Sequence, residues 1–130
     1  MLLPLQVKLD GGAGAMRIRI YDGTRPATPE DGVGACTKLA ENPSSNTTTC
    51  ATETPTGTLT FAPITTVNAE TFTSPSTRTA TWARWCMSDG TAVFDCDVGV
   101  VGSGKFIEMV STSIVSGAPV AYSSATITMP

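Results

Sequence analysis

Histidine is absent from this 130-residue chain, and with it the one side chain that ordinarily titrates near neutrality. Neither a Ser-His-Asp nor a Cys-His arrangement can be built, so hydrolysis by those routes is excluded. Charge is scarce: 15% of residues are charged, eight basic against eleven acidic, for a net charge of −3. Binding a phosphate backbone needs clustered Lys and Arg, and no cluster is visible, so no nucleic-acid partner is expected. Long apolar runs are missing too. The start, MLLPLQVKLDGG, has no basic leading region and is interrupted by Pro4, so neither a secretion signal nor a membrane anchor is expected and the chain is expected to fold in a cytoplasm.

Other chemistry is lacking by spacing. The four cysteines, Cys36, Cys50, Cys86 and Cys96, contain no C-x-x-C hook, which argues against structural zinc; neither metal nor cofactor is expected. Gly102-Ser103-Gly104-Lys105 falls short of a phosphate loop because Phe106 stands where the hydroxyl belongs, and a turn explains it better. Asp95 and Asp97 share a strand face as paired carboxylates would, but solvated acids, or partners for Arg84 across a hairpin, account for them more simply. No residue is assigned a catalytic role.

The composition that remains is Thr, Ser, Gly and Pro beside a 41% hydrophobic fraction, which favours short strands joined by many turns over helices. At this length one domain can bury roughly two-thirds of its unfolded surface. The central stretch is Arg78–Val98, which holds both tryptophans and two cysteines around Ser88-Asp89-Gly90-Thr91. Alternation sets Ala80, Trp82, Arg84 and Cys86 on one face and Thr81, Ala83, Trp85 and Met87 on the other. Both faces carry a large apolar group, so this hairpin arm is expected to be covered on both sides. Trp82, Trp85, Tyr21, Phe61 and Phe94 are its candidate core or interface anchors.

Alternation and punctuation predict strands over Met16–Tyr21, Ala35–Ala40, Thr58–Ala62, Val67–Thr73, Thr79–Met87, Ala92–Val98, Lys105–Thr112 and Val120–Met129. Residues 1–15 are expected to form a short N-terminal helix or arm. Thr28–Gly32 predicts one helical turn, with an N-cap Thr and Pro29 behind it. Residues 22–57 are expected to make a long surface loop, tethered by a Cys36–Cys50 disulfide or left with free thiols. Cys86–Cys96 is the second candidate disulfide; it needs a wide loop or a bulge near Ala92–Asp95, because a two-residue turn would set Cys86 opposite Val93. The Asn46-Thr47-Thr48 sequon reads as polar loop in a cytoplasmic protein. The expected fold is all-β: a single-domain β-sandwich of about eight strands over residues 16–130, jelly-roll or immunoglobulin-like.

The segments RIRIYDGTRPATPEDG, LTFAP, TATWARW and STSIVSGAPVAYSSATITMP, in their order and spacing, resemble a family of small tailed-phage virion structural proteins, head decoration or minor capsid proteins among them. The insert from Cys36 to Thr56 and the tight turn after Met87 depart from that pattern. The resemblance implies a non-enzymatic protein that reinforces a phage capsid as a homo-oligomer, a trimer or dimer, against the major capsid protein or other virion proteins. It leaves a tail or tail-tip component as an alternative. A module binding glycans on the virion surface through Trp82, Trp85, Tyr21 and the 22–57 loop is a further reading. Since Trp82 and Trp85 alternate to opposite faces, no single platform could use both.

Overall fold

A computed structural model of the chain describes residues 14–44, 51–53, 58–61, 64–73, 75–120 and 124–128; for 51–53, 58–61 and 124–128 it describes the backbone alone. The fold is all-β, and among the described residues there is no helix. The expected N-terminal helix or arm and the sequon at Asn46 lie outside the described residues, apart from Gly14 and Ala15.

Among the described residues twelve short strands stand where about eight were expected: β1 Arg17–Tyr21, β2 Lys38–Pro43, β3 Ala51–Glu53, β4 Thr58–Phe61, β5 Val67–Asn68, β6 Thr77–Thr79, β7 Trp82–Cys86, β8 Ala92–Val100, β9 Ile107–Met109, β10 Ser113–Val115, β11 Pro119–Val120 and β12 Ser124–Thr128. Eight of them form one sheet in the order β2-β1-β7-β8-β9-β12-β4-β3; β10 pairs with β6, and β11 with β5. Every pairing is antiparallel except β8 with β9.

The extra strands come from chain segments that change partner part-way. Thr79–Met87 is not one strand, because β6 pairs with β10 while the Thr81 amide donates to the Tyr21 carbonyl and β7 runs on between β1 and β8. Val120–Met129 divides in the same way between β11 and β12. The loop expected over 22–57 contains β2, shifted toward Pro43 from the strand expected over Ala35–Ala40, and also β3, so its first irregular part ends at Thr37. The helical turn expected at Thr28 is a single bend, closed by the Asp31 amide on the Thr28 carbonyl and by the Thr28 amide on the Asp31 carboxylate.

The hairpin between β7 and β8 follows its sequence signal. Gly90 takes φ +91°, a conformation that side chains resist, and a Cβ there would lie 2.7 Å from Arg19 Nη2. Both faces of β7 are buried. On one side Trp85, Ala83, Ile18 and Ile20 join Met16, Leu39, Val98 and Ile107 in the core. Buried Asn42 ties the small strands to the sheet by donating from Nδ2 to the carbonyls of Thr65 at 2.9 Å and Val120 at 3.1 Å.

The Cys86–Cys96 disulfide does not form. Cys96 stands opposite Ala83 and Cys86, after a register shift, opposite Ala92; the two thiols are thus three pairs apart and on opposite faces, Cys96 in the core and Cys86 beside Arg84. Both are buried free thiols. Cys36 is also a free thiol, donating to the Thr24 carbonyl at 3.2 Å; its expected partner Cys50 lies outside the described residues.

Candidate functional site

The face of β2-β1-β7-β8 turned away from the core carries the densest polar chemistry. Alternation makes it: Arg17 and Arg19 from β1, Glu41 from β2, Trp82, Arg84 and Cys86 from β7, and Asp95 and Asp97 from β8 come to one side. Register then pairs opposite charges. Glu41, directly across from Arg19, accepts from Arg19 Nε and, at 2.7 Å, from Arg17 Nη1. Arg84, directly across from Asp95, donates Nε and Nη2 to the two carboxylate oxygens at 2.8 and 3.0 Å. The side chains of that second pair are 9% and 5% exposed, so this is a buried ion pair with fork geometry rather than a solvated one.

Arg84 also lies over the Trp82 ring, 5.3 Å from its centroid, and Trp82 stacks on Tyr21 at 4.5 Å. The result is a continuous pile of Tyr21, Trp82, Arg84 and Asp95. Asp22 closes its end and holds the neck of the 22–37 loop. Its carbonyl accepts from Trp82 Nε1 at 3.0 Å, and its carboxylate accepts from the Thr37 amide at 2.6 Å and from Arg78 at 3.0 Å. Arg25 extends from that loop to the Asp95 carbonyl and to Asp97.

Electrostatically the site is quenched. Burial alone would raise the Glu41 carboxyl, but hydrogen bonds from Arg17 and Arg19 hold it below its ordinary value. The Asp95 hydrogen bonds outweigh burial and raise Arg84. Burial pushes the Tyr21 hydroxyl and the Cys86 thiol up, the latter despite Arg19 and Arg84 beside it. Burial sends Cys96 up to about 12 although Trp85 Nε1 donates to its sulfur at 3.1 Å. Neither buried thiol supplies a thiolate nucleophile, and the carboxylates of Glu41 and Asp95 spend their lone pairs on arginines. No cluster of His, Cys, Asp and Glu suited to a metal occurs among the described residues. The arrangement locks strands together.

The candidate anchors divide. Trp85 is 0% exposed and stacks on Phe94 at 5.0 Å, with Phe106 edge-on at 6.3 Å. Trp82 and Tyr21 belong to the outer pile, both buried. Phe61 lies in β4 opposite Ala51, its side chain outside the described set. With Trp82, Trp85 and Tyr21 closed on both faces, none offers the open ring that a sugar platform requires.

Sequence reasoning missed what is exposed. Val100, Val101, Val110 and Val115 are 46%, 58%, 84% and 49% exposed. Val100, Val101 and Val110 lie where β8 and β9 end, the Val101 amide bonding to the Met109 carbonyl, and Val115 ends β10. Val110 and Val115 border a groove of about 280 Å³ whose lining, from Met109 through Ile114 to Pro119 and Val120, carries no charge. The apolar pairs Val100-Val101 and Met109-Val110 at strand ends were the available signal. Two further clefts flank Arg25, one of about 530 Å³ within the 22–36 loop and one of about 350 Å³ beside Asp95, Asp97 and Lys105. No family model, curated protein or solved structure matches the chain.

Proposed function

We propose that this is a non-enzymatic virion structural protein, a head decoration or minor capsid protein that reinforces a tailed-phage capsid. In this reading the chain is a two-layer β-sandwich in which β8 passes from one layer to the other, the corner device of such folds. The observation that carries the proposal is the exposure of Val100, Val101, Val110 and Val115. Among the described residues sixteen apolar side chains pack into one buried core, yet these four stay exposed, Val110 and Val115 beside an uncharged groove. Exposed apolar side chains beside a groove are a surface that protein contacts use. In this reading the contact is with copies of the same chain and with major capsid protein.

Quantitative mass spectrometry of purified particles tests this. Hundreds of copies per particle are expected, whereas a count matching a tail ring would place the protein in the tail or tail tip, and none would remove the virion reading. Val110→Asp, at the most exposed of the four positions, should leave thermal unfolding unchanged and deplete the protein from particles. Undiminished incorporation would show that the patch is not the contact.

A further inference from the structure

We propose that the free edge of β10 is a pairing site for a second copy of this chain, the two β10 strands running antiparallel about a two-fold axis at Ile114. Among the described residues β10 pairs with β6 alone, in the register Ser113↔Thr79, Ile114↔Arg78 and Val115↔Thr77. The Ala80 amide donates to the Thr112 carbonyl and the Ser116 amide to the Ser76 carbonyl, and this sets the phase of the ladder. Thr112, Ile114 and Ser116 turn their backbone groups toward β6, and Ser113 and Val115 turn theirs away. Two of those outward groups are already bonded within the chain: the Ser113 amide donates to Ser111 Oγ at 3.1 Å, and the Val115 carbonyl accepts from the Ala118 amide at 3.0 Å. One acceptor, the Ser113 carbonyl, and one donor, the Val115 amide, have no partner among the described residues.

What is left over is self-complementary. With Ile114 opposite Ile114 of the other copy, each Ser113 stands across from the other's Val115, and each Val115 amide meets the other's Ser113 carbonyl, so the unused donor and acceptor of both edges close on each other. The side chains agree. Ile114 packs in the core, whereas Ser113 and Val115 stand on the exposed face, where each valine would lie beside the facing serine. No residue from Met109 to Val120 is charged, so no like charges are brought together and the lysines that guard open edges are missing. The uncharged groove of about 280 Å³, lined by all of β10 and by Val110 and Pro119, gives the approaching strand an apolar wall. The edge of β2 is closed by contrast, since its Leu39 and Pro43 carbonyls accept from the Glu70 and Thr65 amides. With β10 only three residues long, the pairing is weak and reversible, of the kind that an assembly of many subunits multiplies.

Sedimentation equilibrium and amide NMR on the full chain, in reducing buffer and without particles, test the pairing, so its failure would leave the virion reading to be decided by copy number. The weight-average mass should climb toward twice that of one chain as concentration rises to about 1 mM. Over the same range exchange of the Val115 amide with solvent should slow by about threefold or more, while the Ser113 amide, already bonded to Ser111, changes less. Val115→Pro keeps an apolar side chain and removes an outward N–H without removing a bond to β6. Because the two-fold counts that loss twice, association should weaken by about tenfold or more. Ser113→Cys chains mixed with Val115→Cys chains and then oxidised should form the disulfide between unlike variants in preference to those between like ones, read by peptide mass spectrometry. A wild-type chain still monomeric at about 1 mM would overturn the proposal. So would Val115 exchange independent of concentration, undiminished association of a folded Val115→Pro chain, or unlike disulfides no more abundant than like ones.

Discussion

Trp85→Ala removes the largest side chain with no exposed surface at the centre of the hairpin. The indole is flanked in register by Ile18 of β1 and Phe94 of β8, stacks on Phe94 at an interplanar angle of 17° and meets Phe106 edge-on. These contacts come from two neighbouring strands and the segment leading into β9, so the cavity left by Ala cannot close by moving one element. Truncations of this kind cost about 3–5 kcal/mol, of which each aromatic pair accounts for roughly 0.5–1.5 kcal/mol. The Nε1 bond to the Cys96 sulfur adds little, because a thiol is a weak acceptor. Trp85→Phe, which keeps a ring against Phe94, should therefore lose roughly half as much or less. Urea unfolding followed by far-UV circular dichroism measures both, and Trp85→Ala should lower the melting temperature by about 10 °C or more in a chain of this size. A loss below about 1.5 kcal/mol for Ala, or equal losses for Ala and Phe, would show that packed ring volume at this position does not hold the sheet together.

Three further outcomes follow from the outer face and the thiols. Asp95→Ala strands the buried Arg84 guanidinium without its carboxylate and should cost about 3–5 kcal/mol by urea unfolding; Arg84→Met with Asp95→Leu should recover most of it, and a double variant no better than the single would refute the account. Glu41 has a folded pKa below its ordinary 4.5, so its contribution is fully present above that value and lost as pH falls through the folded pKa. The melting-temperature gap between wild type and Glu41→Gln should accordingly shrink below about pH 4.5, and a gap constant down to pH 2 would contradict it. Iodoacetamide at pH 8 should alkylate Cys36 in the folded chain and spare Cys86 and Cys96, since burial raises both thiols and only the thiolate reacts; modification of either before unfolding, read by peptide mass spectrometry, would refute their burial.

The strands that alternate without interruption were legible as sequence. Arg17-Ile18-Arg19-Ile20-Tyr21 became β1 with both isoleucines in the core, and Trp82–Cys86 became a strand buried on both faces. The pairing of Arg84 with Asp95 was also readable as a cross-strand contact. Partner changes were not. Nothing local in Arg78–Met87 marks the point where Ala80 bonds to Thr112 and Thr81 to Tyr21, because alternation fixes which face a side chain takes and is silent on which strand lies beside it. The same limit hid the bulge after Trp85, which sets Cys86 opposite Ala92 where an unbroken register would set it opposite Val93. In the 22–57 segment polar composition suggested loop, but Lys38–Pro43 pairs with β1 because Glu41 is satisfied by two arginines and Asn42 by two carbonyls. Long-range polar partners overrode weak β-propensity there.

The outer face and the end of β8 stand in opposite states, and the contrast explains where this molecule is able to make contacts. On the outer face the paired charges are satisfied within the chain: Arg84 by Asp95, Glu41 by Arg17 and Arg19, and the Trp82 N–H by the Asp22 carbonyl. A partner docking there would have to break charge-assisted bonds before forming its own, at a cost of about 1.5–3 kcal/mol for each. The end of β8 carries no such penalty. Its last residue, Val100, is half-exposed next to the more exposed Val101. One strand therefore holds the sheet by its β7 side and presents an apolar surface at its end, so that the residues stabilising the fold need not change when that surface is occupied.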